Sequence, residues 1–120
     1  MVRKQEEQRK FTRSPGVDIQ VLVEPEEIYD AGRLYARIII APGASLEHHT
    51  HIDEMESYFV LKGTCKIEDN DNIVYLKEGD VLVTPHDQGH SISNETDEPI
   101  EIIALIISCK QGAPGKGVSK

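Results

Sequence analysis

From Pro15-Gly16 onward the chain is a succession of short apolar runs, each closed by residues that bend the backbone. The runs cover residues 19–23, 34–40, 57–61, 65–67, 73–76, 81–83, 90–92 and 100–107. Between them lie Pro42-Gly43, Lys62-Gly63, Asp69-Asn70-Asp71-Asn72, Glu78-Gly79-Asp80 and the stretch 94–99, which ends at Pro99. Gly, Pro, Asn and Asp supply the backbone conformations that tight turns require. Runs this short cannot make amphipathic helices, and their close spacing predicts an all-β sandwich or barrel. Only Pro25-Glu26-Glu27-Ile28-Tyr29 suggests a helical turn, with Pro25 suited to a first helical position.

The chain has 120 residues, 38% of them hydrophobic and 28% charged. That is enough for one domain with its own core. The formal net charge of −8 repels phosphate backbones and anionic headgroups. No nucleic-acid or membrane partner is therefore expected, although a local basic pocket is compatible with that charge. The expected organisation is a charged arm over residues 1–14, a barrel domain over 15–109 and a Gly- and Lys-rich tail over 110–120. The arm is either solvated or an edge strand. The Gly-Lys pair in the tail has the wrong spacing for a phosphate loop.

Cys65 and Cys109 lack CxxC spacing and are expected as two thiols. No apolar segment follows Met1 as a secretory signal would require, and the apolar run 102–107 is too short to span a bilayer. A cytoplasmic protein is expected. The stretch 100–107 is apolar on both alternating faces apart from Glu101, as in a strand covered on both sides, and this points to a homodimer.

The five histidines fall into two groups, His48, His49 and His51, then His86 and His90. In a strand, residues two apart share a face, so His49 and His51 can converge on one ion. Glu56 adds an oxygen ligand, and a strand carrying His90 brings a third imidazole from the side. Alternation puts Tyr58 and Val60 on the face of Glu56, which makes Tyr58 the candidate catalytic residue. His48 should face away from His49, on the surface. His86 reads as a loop residue, Asp53 and Glu54 as residues at the barrel mouth, and Asn94 as a hydrogen-bonder of turn backbone.

Gly43-x5-His49-x-His51-x4-Glu56-x6-Gly63 resembles the first sequence motif of the cupins, and Gly79-x5-Pro85-x4-His90-x3-Asn94 resembles the second. The chain is thus similar to small single-domain cupins of the RmlC-like type. The resemblance implies an antiparallel jelly-roll barrel, often dimeric, with His49, His51, Glu56 and His90 in the metal positions. One departure is Asp87, where the family usually has glycine two residues after the proline. Gly89 is the residue expected to relieve that turn.

Three nitrogens and one oxygen suit Mn, Fe, Ni, Co, Cu or Zn. One function that the resemblance implies is a small metalloenzyme of the dioxygenase, isomerase, decarboxylase or lyase class acting on a small oxygenated molecule. The other is a non-catalytic module that binds or senses a small carbohydrate or carboxylate.

Overall fold

The computed structural model describes residues 1–50 and 52–109, so His51 and the tail over 110–120 lie outside the described residues. Ten strands follow one another: β1 (Lys10–Ser14), β2 (Val17–Val21), β3 (Gly32–Ile40), β4 (Ser45–Thr50), β5 (Glu54–Lys62), β6 (Cys65–Asp69), β7 (Asn72–Leu76), β8 (Val81–Thr84), β9 (Gly89–Ser93) and β10 (Ile100–Ser108). Each expected run falls on a strand, except that β2 ends at Val21 and residues 22–23 of the first run lie beyond it. The Pro25 turn is a short 3-10 helix, Pro25–Ile28, with the proline in its first turn.

The strands form two antiparallel sheets. One has the order β1-β2-β3-β10-β5-β8 and the other β4-β9-β6-β7. Without β1 and β2, two four-stranded sheets remain whose strand order is that of the jelly roll, as expected. The extra pair extends the β3 edge, and β1 is the edge strand of the larger sheet. Its neighbourhood is tied down by ion pairs: Arg3 to Glu27 at 2.6 Å and Arg9 to Glu24 at 2.9 Å. The Arg3 guanidinium holds the Glu27 carboxyl down to about 2.

Alternation along each strand sends one set of side chains between the sheets. Ile38, Ile40, Ile100, Ile102, Tyr58 and Val60 from the large sheet meet Leu46, Cys65, Ile67 and Ile92 from the small one, all buried. Burying one such isoleucine contributes about 1.5–3 kcal/mol. Both cysteines are free thiols, and burial pushes Cys65 up to about 11.

Asn94 closes one end of the barrel. Its side-chain amide donates to the carbonyls of Ile40 (3.0 Å) and Glu98 (2.7 Å), and its oxygen accepts from the Thr96 N–H (2.9 Å) and hydroxyl (2.7 Å). The loop before β9 corrects one expectation. Asp87 itself takes the left-handed conformation, at φ 68°, whereas Gly89 has no positive φ. Aspartate tolerates that region better than most residues. At Gly89 the neighbouring side chains crowd the backbone: a Cβ there would lie 2.5 Å from the His48 ring and 2.8 Å from the Thr50 hydroxyl, so both would have to shift.

Candidate metal centre

β5 delivers Glu56 to the barrel interior, where the side chain is 3% exposed. Tyr58 follows two residues later on the same face and is also buried. β9 delivers His90, which is wholly buried. β4 faces β9 and brings His49 into direct register with His90.

His49 reaches that position through a β-bulge. Leu46 pairs with Ile92 and His49 with His90, so β4 carries one extra residue between the two pairs. Simple alternation from the buried Leu46 would put His48 inside and His49 outside. The extra residue reverses the phase. His49 is half-buried beside Glu56, and His48 is exposed as expected.

The donor atoms of His49, Glu56 and His90 lie within 4.8 Å of one another. Glu56 Oε1 is 2.9 Å from His90 Nε2 and 3.4 Å from His49 Nε2. Ligands about 2.0–2.2 Å from one zinc-sized ion stand roughly 3–4 Å apart, so one ion can join this cluster with little adjustment.

The hydrogen bonds behind the histidines suit that role. His49 Nδ1–H donates to the Glu47 carbonyl at 2.8 Å. A carbonyl only accepts, so Nδ1 carries a proton and Nε2 is the nitrogen turned toward Glu56. His90 Nδ1 is 2.7 Å from the hydroxyl of Thr84, a buried residue at the end of β8. Thr84 anchors Nδ1, so His90 Nε2 is the nitrogen turned inward, 2.9 Å from Glu56 Oε1. Ligating histidines are commonly oriented in this way by a partner on the other ring nitrogen. Thr84 was not among the residues singled out from sequence, although its place immediately before Pro85 of the second motif was a usable signal.

The electrostatics point the same way. A buried carboxylate needs a cation nearby. Glu56 raises His49 above the usual imidazole range, first through their hydrogen bond, while burial of the ring works against it. Tyr58 is pushed well above the ordinary phenol range, chiefly by burial and then by the Glu56 charge. Its hydroxyl therefore stays protonated, and it lies 3.2 Å from His90 Nε2.

A cavity of about 230 Å³ opens from this cluster. His49, Glu56 and Tyr58 contribute its polar groups together with Arg9, Arg13 and Arg33, and the remaining wall is largely aliphatic. Of the other residues considered from sequence, Glu54 pairs with Arg33 at 2.7 Å, Asp53 forms the turn before β5 at φ 57°, and His86 lies in the loop before β9, 3.1 Å from Asp87.

Residues 36–106 match the family model of the cupin domain. The chain belongs to the cupin family. A relative named oxalate-binding protein, from Thermotoga maritima, is 36% identical over 91 residues, which are 76% of this chain and 75% of the relative. A crystal structure described as a predicted oxalate decarboxylase, also from Thermotoga maritima, superposes with a TM-score of 0.82 at 32% identity, covering 90% of this chain and 99% of that one. KdgF from Halomonas sp. superposes with a TM-score of 0.75 at 18% identity over 93% of this chain and 96% of that one, a likeness of fold.

Proposed function

We propose that this cupin holds one divalent transition metal ion on His49, His51, Glu56 and His90 and binds a small carboxylate ligand beside it. The observation that carries the proposal is the buried Glu56 carboxylate between two imidazole nitrogens, His90 Nε2 at 2.9 Å and His49 Nε2 at 3.4 Å, each ring anchored through its other nitrogen. His51, two residues beyond His49, completes the set on the cupin motif. The ion, drawn from Mn, Fe, Ni, Co, Cu or Zn, would supply Lewis acidity and open coordination positions for a chelating anion.

The carboxylate part rests on the names of the two Thermotoga maritima proteins and on the Arg13 guanidinium in the cavity wall. Within the cavity, Tyr58 is the group placed to give a hydrogen bond or a proton to a ligand. It is held protonated and does not act as a base near neutral pH. A single donor of this kind suits binding and polarisation. Turnover by decarboxylation is the second reading, supported by the relative described as a predicted oxalate decarboxylase.

The proposal extends to a homodimer. Phe59, Val81 and Val83, on neighbouring strands of the large sheet, turn outward and are exposed, and Ile103 of β10 lies beside Phe59 in register. Two free thiols fit a reducing compartment such as the cytoplasm. Among the described residues no helix is long and apolar enough to cross a membrane.

Elemental analysis of untagged protein is the direct test. The expected result is near-stoichiometric transition metal in the wild type and its loss in His49→Ala and His90→Ala. Oxalate should then raise the melting temperature of the loaded protein. If the wild type carries no metal and gains no stability from any of the six ions, the metal proposal fails. Release of carbon dioxide from oxalate by the loaded protein would favour the catalytic reading over binding alone.

A further inference from the structure

The same cavity gathers three guanidinium groups in a chain of net charge −8. Two are already engaged, Arg9 with Glu24 at 2.9 Å and Arg33 with Glu54 at 2.7 Å. Arg13 differs. Among the described residues it makes no hydrogen bond or ion pair, and it is exposed to solvent on the cavity wall that it shares with His49, Glu56 and Tyr58.

Its position is set by the edge strand. Alternation gives Arg9, Phe11 and Arg13 one face of β1, and Phe11 pairs with Ile19, whose side chain is buried in the core. The opposite face carries Thr12, bonded to Asp18 at 2.8 Å. The pairing then shifts between Thr12–Asp18 and Ser14–Val17, which leaves Arg13 as the additional residue of a β-bulge. Bulges re-aim single side chains, often beside functional sites. The positive charge of Arg13 is felt at both His49 and Tyr58.

We propose that Arg13 determines the ligand specificity of this cavity: its guanidinium, on the cavity wall and without a protein partner among the described residues, receives one carboxylate of a small dicarboxylate held at the His49–Glu56–His90 cluster. A guanidinium fork matches a carboxylate in shape and charge. The cavity, of about 230 Å³ and open to solvent, has room beside the cluster for a ligand of the scale of oxalate or malonate. The inference rests on the proposed metal–carboxylate function and adds to it the residue that selects a dianion over a monoanion.

Calorimetric titration of the metal-loaded, full-length protein tests it, with oxalate and malonate as dianions and acetate and glycolate as monoanions. The variants are Arg13→Gln, Arg13→Lys and Arg9→Gln, each with its metal content measured. Arg13→Gln should weaken dianion binding about 10- to 100-fold while changing monoanion binding less than about threefold. Arg13→Lys should recover part of the loss, and Arg9→Gln should stay within about threefold of wild type, because Arg9 is already paired. Dianion affinity in Arg13→Gln within twofold of wild type overturns the inference, and so does a loss of metal in that variant, which would make Arg13 a support of the metal site. Failure of the wild type to bind any of the four acids would instead defeat the carboxylate function itself, and the inference with it.

Discussion

At the residue scale the site depends on two polar groups, a side-chain hydroxyl and a backbone carbonyl, that stand behind the histidines. Thr84 orients His90 through a 2.7 Å hydrogen bond, and the Glu47 carbonyl fixes His49 through a 2.8 Å one. Thr84→Val keeps the shape of the side chain and removes the oxygen. Metal affinity is expected to fall about 10- to 100-fold in that variant, as for other supports of ligating histidines, with the fold retained. A competitive chelator titration would measure the change. The shift of His49 gives a pH dependence with a definite sign. A raised pKa means that the His49–Glu56 pair stabilises the metal-free protein fully below the imidazole value of an unfolded chain, about 6.5, and loses that stabilisation as pH rises through the higher folded value. Protons and metal compete for the same nitrogen. The gain in melting temperature on adding metal should therefore be larger at about pH 8 than at about pH 6. Equal gains at both values would show that His49 does not bind the ion.

Elements decide where those residues end up. β3 and β10 run side by side through the middle of the large sheet, and their register shifts by one residue opposite Gly32. A Cβ at Gly32 would stand 2.1 Å from the Ile106 carbonyl oxygen, a backbone atom with little room to move. Gly32→Ala is accordingly expected to destabilise the protein by about 3 kcal/mol, visible in a urea titration as a lower midpoint at unchanged slope. The end of β9 offers a second check. Asn94→Ala removes four hydrogen bonds and takes the amide donor from the Ile40 carbonyl at the barrel end. A cost of about 2 kcal/mol or more is expected. Neither residue lines the cavity, so metal content should be unchanged in both variants.

Across the whole molecule, the inner and outer faces of the large sheet have different fates. The inner face is sealed against the smaller sheet, whereas Phe59, Val81 and Val83 remain exposed outside. In the proposed dimer a second copy covers them. Val83→Lys is expected to shift the protein toward the monomer in light scattering coupled to size exclusion, with the metal retained. A wild-type monomer at all concentrations would refute the dimer. The core thiol gives an independent readout of barrel integrity. Cys65 is fully buried and pushed up to about 11, so alkylation near pH 8 should reach at most Cys109 until the barrel unfolds.

The strands, their turns and the motif residues were legible because each rests on local chemistry. Period-2 apolar alternation sends Glu56, Tyr58 and Val60 to one face. Gly43, Gly63 and Gly79 stand where φ is positive. The spacing of the two motifs brings the centre down to a few residues, of which His49, Glu56 and His90 converge and His51 lies outside the described set. The sequence by itself thus determined the barrel, its cupin character and three residues, His49, Glu56 and His90, of the candidate metal centre. Other features were decided only by the tertiary structure. The bulge in β4 inverts the phase of His48 and His49, Thr84 meets His90 across two strands, and Asp87 takes the strained turn that Gly89 was expected to relieve. β1, at the sheet edge, sets Arg13 on the wall of a site made by strands distant in sequence. The physical reason is common to all four. A bulge, a second hydrogen-bond partner or an arginine left without a carboxylate is defined by the pairing of separate strands, and a single strand's sequence carries no record of its neighbour's register.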